Sequence, residues 1–512
     1  MITSGDQKSS LLHNILAFCL LDRNDDSAIL ENGDGTWTGD GSHEHPYLID
    51  WVPNDSLHAR KYSTAKKRTI IALSAISSLS VAFASSVYTG GLSSVRQYFG
   101  VSDEAATLGL SLFVLGFAIG PLIWAPLGET FGRRKIFLIA FSMFTIFNLA
   151  AAVSPNFASL VVLRAFAGIF GSAPLTNSGG IVADLYSAEH RGLAAVFYSG
   201  ATFLGPVLGP IAGGFLGESK GWRWIEGLLA IYTGFMLILG YLFVPETFGP
   251  VLLRRRAALL SQSTGKVFAT RFDHQQPAGS LWQRVKISTR RPLVLLISEP
   301  IVAALAFYNA LIYGTTYLLL AALPVIFQGV RGWSPGIGGL AFISIAIGMA
   351  IAMVYMIFVN RRYTQVWKNS AIQQLPPEAR LPSCKVGAII IPLGLFLFAW
   401  SNAPSVHWAV CMIGTALFGF GNISVSLGLV NYIVDSYVTY AASALAASTV
   451  LRSLCGAAFP LFTTYMYKGL GIHWASSVPA FLSLACLPVP FILSKYGHQI
   501  RQCSKFAVEM TE

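Results

Sequence analysis

The 512-residue sequence predicts an all-α membrane protein whose twelve transmembrane helices form two pseudo-symmetric six-helix bundles. Three observations carry that prediction. Hydrophobic residues make up 54% of the chain and charged residues 12%, against about 25% charged in ordinary soluble domains. Stretches of about 20 residues pass without a charge, long enough to cross a ~30 Å hydrocarbon core as helices. Their continuity excludes an outer-membrane barrel, which is built from short alternating strands. Finally, Lys and Arg gather in alternate loops, the asymmetry that orients helices in a bilayer.

Residues 1–65 are rich in Gly, Asp, Asn and Ser (ENGDGTWTGDGSHEH) and show neither helical nor strand periodicity. They are expected to be a disordered polar tail. Arg60, Lys61, Lys66, Lys67 and Arg68 end it at the membrane surface. Apolar spans near 69–90, 106–126, 136–154, 158–181, 193–217 and 225–245 make a first bundle, 66–246. A polar segment, 247–292, carries RRRAALLSQ and TRRPLVLL and divides the chain near its middle. Spans near 293–321, 336–359, 384–401, 407–432, 441–466 and 475–494 make the second bundle, 293–494, and a short basic tail, 495–512, follows.

Placing both termini and the central segment on one side collects 28 of the 35 Lys and Arg there; five lie opposite, and Arg164 and Arg452 fall inside spans. That bias predicts cytoplasmic termini. The net charge of +11 therefore reports topology, not a basic face for nucleic acid. Two six-helix halves joined by a long loop are the plan of secondary transporters, with the solute near the midplane between repeats. No potassium-filter sequence, HExxH, GxxxxGK[ST] or GxSxG occurs, and the six cysteines include no CxxC pair. Neither enzyme chemistry, a metal nor a cofactor is expected.

Three segments stand out. Between spans 2 and 3, APLGETFGRRKIF offers Gly132 for a tight turn and Arg133, Arg134 and Lys135 as a cytoplasmic anchor. Glu129, four residues before Arg133, adds a contact that could form in one conformational state only and so gate the loop. In span 4, LVVLRAFAGIFGSA places Arg164 at hydrocarbon depth, where it is either functional or a buried hydrogen-bond hub. In span 5, FLGPVLGPIAGGF holds Gly205, Pro206, Gly209, Pro210, Gly213 and Gly214. Such a run weakens a soluble helix, but in lipid it permits close helix approach and a pliable kink.

These motifs resemble the major facilitator superfamily. The loop resembles its GxLaDrxGrkxxl signature, with Ala125 for the first Gly and Glu129 for Asp. Span 4 resembles RxxqGxgaA, with Ala167 for Gln, and span 5 resembles the GxxxGPxxGG of the antiporter branch. NSGGIVADLY, DSYVTYAASALAASTVLRSLCGAAFPLF and GIHWASSVPAFL extend the likeness to the fungal twelve-helix drug:proton antiporter group. The resemblance implies a monomeric, multi-pass plasma-membrane protein that exports drugs, toxins or secondary metabolites against protons. It also implies that Arg164 tunes proton coupling or fixes the site.

The few acids of the spans sit near helix ends, and that scarcity favours a neutral or amphipathic small molecule over a polycation. Asn309, Tyr313 and Tyr317 on span 7, with Asn422 and Asn431 on span 10, are the candidate polar anchors of an otherwise apolar cavity. Glu299 is a second proton-coupling candidate and equally an anchor for helix 7. Arg452 pairs with Asp435 or across the halves. Two alternatives stay open: a polyamine or nutrient carrier, and a non-transporting receptor or scaffold.

Overall fold

The computed structural model describes residues 37–52, 55, 57–186, 191–275, 281–369, 375–502, 504 and 506. The first half contains α1, which runs from Thr64–Val87 through a 3-10 turn into Leu92–Phe99, then α2 (Asp103–Phe131) and α3 (Arg133–Ala152). It is completed by α4 (Phe157–Leu185), α5 (Arg191–Lys220) and α6 (Trp222–Phe243). The second half begins with α7 (Pro300–Pro324) and α8, which runs through Pro335–Leu340 and Phe342–Asn369. Next come α9 (Leu381–Ser401) and α10 (Trp408–Ser436).

Among the described residues eleven helices are long and apolar enough to cross a membrane, the last of them Ala441–Gln502. At 1.5 Å per residue those 62 residues would extend about 93 Å, three bilayer cores. Gly471, at φ 73 and ψ 168, breaks the run, in a conformation glycine adopts at no steric cost. Two spans result, α11 (441–470) and α12 (472–502), so the twelve-helix plan holds.

Side-chain caps mark several helix starts: Ser102 accepts from Ala105 N, Asn156 from Ser159 N and Ser334 from Ile337 N. Span 7 begins at Pro300 and not at 293, because Leu281–Ser298 forms a separate helix that ends before Glu299. Proline restricts the residue before it and suits the first turn of a new helix. The two halves meet mainly through α2 against α11 and α5 against α8, the equivalent pairs of a two-repeat design.

The tail expected to be disordered over 1–65 is folded over residues 37–52, 55 and 57–65, and its remaining residues lie outside the described residues. Tyr47–Ile49 pairs in parallel with Phe268–Thr270 of the central segment. Ile49 packs with Leu253, Ala257 and Leu260 of the amphipathic helix Gly249–Thr264. A buried ion pair, Arg256 to Asp55 at 2.6 Å, ties the two segments. Tail and central segment thus make one small cap, because their few apolar residues bury each other.

Candidate functional site

A cavity of about 820 Å³ lies between the halves. Its rim consists of Glu129, Arg133, Arg191, Arg380, Asp435 and Arg501, all at helix ends on the face that carries the tail and the central segment. The cavity therefore opens on that basic face. Deeper in, Phe117, Leu175, Phe203 and Leu427 supply apolar wall, with Tyr198, Thr202, Asn431 and Thr449 as polar groups. Few polar groups in an apolar wall can orient an amphipathic molecule without demanding one shape.

Two equivalent clusters brace the rim. In the first half, Arg133 Nε lies 3.8 Å from Asp184 at the end of α4. In the second, Arg380 Nε lies 2.7 Å from Asp435 at the end of α10. Each joins the start of a third helix to the end of a fourth, as a repeat predicts. Arg501 pairs with Glu378. Arg452 has no share in these pairs.

The turn between α2 and α3 is held by Glu246, a residue outside the sequence motif. Its carboxylate accepts from Arg133 N at 3.0 Å and Arg134 N at 3.1 Å, and from Thr247 N and Phe248 N at 2.9 Å each. A carboxylate belongs at a helix N-terminus, where backbone N–H groups lack partners. Gly132 makes room: at φ +97, a Cβ there would lie 2.2 Å from Glu246 Oε2. The Arg134 side chain is buried and donates to Tyr241 O at 3.2 Å. Lys135 is half-buried beside it. Glu129 is exposed on the cavity wall, and the acids that engage Arg133 are Asp184 and Glu246. The signal for Glu246 was an acid directly after an apolar span on the basic side, in VPETF.

Arg164 is fully buried away from the cavity. It donates to Glu226 Oε1 at 2.5 Å, Gly109 O at 2.8 Å and Ala84 O at 3.1 Å, and lies 4.2 Å from the Tyr88 ring centre. One cation thereby fastens α1, α2, α4 and α6. The span 5 glycines have two partners. Gly205, Gly209 and Gly213 press on α1, where a Cβ at Gly213 would lie 2.1 Å from Val87 O. Pro206 and Pro210 are buried on the same helix. Gly214 faces the other half, where a Cβ would lie 2.7 Å from Pro335 O. Beside it, Glu218 Oε2 accepts from Gly336 N at 2.8 Å, closing the face opposite the cavity mouth.

Of the five expected polar anchors, Asn431 lines the cavity. The other four lie outside its wall in this conformation. Asn309 is held between Ser448 Oγ at 3.1 Å and Ser426 Oγ at 3.2 Å, and Asn422 donates to Thr316 at 2.9 Å. Tyr317 meets Ser85 of the other half at 2.7 Å and Tyr313 at 3.4 Å. Buried amides and hydroxyls inside a membrane bundle must satisfy each other, so helix packing has consumed them. Glu299, also buried, accepts from Tyr437 Oη at 2.9 Å and Ser504 Oγ at 2.5 Å, anchoring α7 to the C-terminal segment.

Away from the mouth, Arg452 is a charged residue of the wall that these networks leave over among the described residues. It lines the cavity, its guanidinium carbon lies 5.1 Å from the Tyr313 ring centre, and its buried Nε has no hydrogen-bond partner among the described residues. A cation–π contact contributes about 0.5–2 kcal/mol, less than the ~2.5–3.5 kcal/mol that insertion scales assign to a mid-membrane arginine.

The sequence profile of the Major Facilitator Superfamily matches residues 74–460. The chain is 55% identical to an MFS-type efflux pump of Trichophyton rubrum over 473 residues, 92% of this chain and 79% of the relative. It is 50% identical to a major facilitator superfamily multidrug transporter of Aspergillus fumigatus, covering 93% and 78%, and 48% identical to an efflux pump of Gibberella moniliformis, covering 93% and 80%. Among solved structures it resembles the xylose transporter XylE from E. coli in a partially occluded inward-open conformation. The TM-score there is 0.60 at 19% identity, over 85% of this chain and 98% of that one. The human organic anion transporter MFSD10 aligns with TM-score 0.54 at 18% identity, over 83% and 99%. With six-helix halves meeting at α2–α11 and α5–α8 around a central cavity, this chain belongs to the Major Facilitator Superfamily.

Proposed function

We propose that the chain is a secondary active exporter that moves small apolar or amphipathic compounds out of the cytoplasm by alternating access, driven by protons. The cavity carries this reading: about 820 Å³ of largely apolar wall, open at one face and shut at the other. The relatives that are named efflux pumps and multidrug transporters support the direction. The Lys and Arg bias supports cytoplasmic termini, which makes this conformation inward-open. We place the protein in the plasma membrane as a monomer, with the halves 66–246 and 293–494 rocking about the cavity.

A polyamine carrier fits poorly, since the cavity is lined by five arginines and two carboxylates and repels a polycation. The deciding experiment uses the purified chain in liposomes under an imposed pH gradient, with a panel of fluorescent apolar and amphipathic compounds. Proton-driven efflux requires movement that a protonophore abolishes. Movement indifferent to the gradient would make the protein a facilitator, and absence of movement in folded protein would sink the export reading.

A further inference from the structure

We propose that the inner end of the cavity is an anion-recognition subsite in which Arg452 binds the carboxylate, or an equivalent acidic group, of an amphipathic cargo. The proposal deepens the export reading and rests on it for the direction of transport. Arg452 lies eleven residues into α11, counted from Ala441 on the basic face, or about 16 Å into the membrane. The other charged residues of the wall all sit at helix ends around the mouth. Leu445, Thr449 and Arg452 recur at helical spacing, so one face of α11 carries the cation into the cavity.

Among the described residues its surroundings supply no counter-charge. Asp435, the acid that the sequence offered as its partner, is engaged by Arg380 at 2.7 Å. Glu226 is engaged by Arg164 at 2.5 Å. Glu129 stands two residues from the end of α2, at the mouth. Among the described residues Arg452 has neither an ion pair nor a hydrogen bond, and its Nε is buried. A guanidinium kept at depth in a cavity, with its donors unspent, is suited to bind a carboxylate through two parallel hydrogen bonds. The Tyr313 ring, 5.1 Å from the guanidinium carbon, limits where the arginine can point. Apolar wall on either side then takes the hydrocarbon body of the cargo.

The test compares 1-pyrenebutyrate with its neutral amide, binding to the purified full chain at pH 7 being read by fluorescence anisotropy. Wild type is expected to bind the carboxylate about tenfold more tightly than the amide, with the ratio shrinking at high salt. Arg452→Gln should bring the ratio to about one, and Arg452→Lys should leave an intermediate value. A ratio near one in wild type overturns the proposal, and so does a ratio that survives in Arg452→Gln. The wild-type arm decides even if the glutamine variant fails to fold. Gradient-driven liposome transport separates the two readings. A tenfold ratio without gradient-dependent movement of either compound overturns export and leaves the anion site, whereas movement of the amide with no carboxylate preference does the reverse.

Discussion

Replacing Glu226 with Gln should destabilise the protein by about 3 kcal/mol, the lower end of the ~3–5 kcal/mol cost of breaking a buried ion pair. Arg164 and Glu226 are both 0% exposed and 2.5 Å apart. The arginine would keep its bonds to Gly109 O at 2.8 Å and Ala84 O at 3.1 Å, and the amide would keep an acceptor. The charge, however, would have no counter-charge in a water-free bundle. A loss of ~3 kcal/mol is a factor of about 10² in the folding equilibrium. Unfolding by SDS in mixed micelles, followed by tryptophan fluorescence, reads it directly. The double variant Arg164→Met with Glu226→Leu should recover most of the loss, because apolar pairs of similar size commonly replace buried ion pairs at little cost. A single variant within ~1 kcal/mol of wild type, or a double variant as unstable as the single, would refute the account. The double variant also separates the two roles left open for Arg164: if it folds and still transports under a pH gradient, the arginine is a structural hub.

Other consequences follow from the contacts at the helix ends and the cap. Glu246→Ala leaves four backbone N–H groups without their acceptor, and should cost about 3 kcal/mol and speed thiol labelling of a cysteine placed at Lys135. Gly213→Val drives a side chain into Val87 O, 2.1 Å from the Cβ position, and should prevent folding in a detergent stability screen; Gly179→Ala, with nothing within 4 Å, should be neutral. His58 is held below its ordinary pKa of 6.5 first by burial and then by Arg60, and its ring accepts from Arg60 N at 3.2 Å. A base depressed on folding contributes fully above its unfolded pKa and loses that contribution as pH falls. Limited proteolysis of the cap should therefore accelerate below about pH 6.5 in wild type and stay flat in His58→Asn.

Helix number, the two halves and the basic face were legible because each rests on a signal summed over about twenty residues. The cavity wall was not. Tyr313 and Tyr317 stand on one face of α7 by spacing, yet α7 is buried nearly all round, and a helix apolar on every side has no periodicity to say which face meets a cavity. The cost of Arg164 was readable from its depth, but its partner Glu226 is 62 residues away at the start of another helix. Glu246 and the turn it holds are separated by more than a hundred residues. In the tail, polar composition outweighed the short YLI run of Tyr47–Ile49, whose strand partner lies more than 200 residues downstream. Distances of that kind are set by topology, which no local window contains.

The closed face shows how the motif of span 5 can serve a cycle and not only a fold. Gly205, Gly209 and Gly213 bind α5 to α1 within one half, while Gly214 and Glu218, on the same helix, touch α8 of the other. The first set presses on backbone atoms and cannot open cheaply. The second depends on an exposed carboxylate at the N-terminus of α8, 2.8 Å from Gly336 N and 3.3 Å from Ser334 Oγ. An exposed charge at a helix N-terminus is worth about 0.3–1 kcal/mol, so Glu218→Gln should shift the closed-to-open ratio of this face by about two- to fivefold. Spin labels at Lys220 and Gly332, in a background without native cysteines, would report it as a larger long-distance population. An unchanged distribution would show that Glu218 does not hold the gate. A shift of orders of magnitude would show a closed state too deep for rapid cycling, since alternating access needs both states within a few kcal/mol.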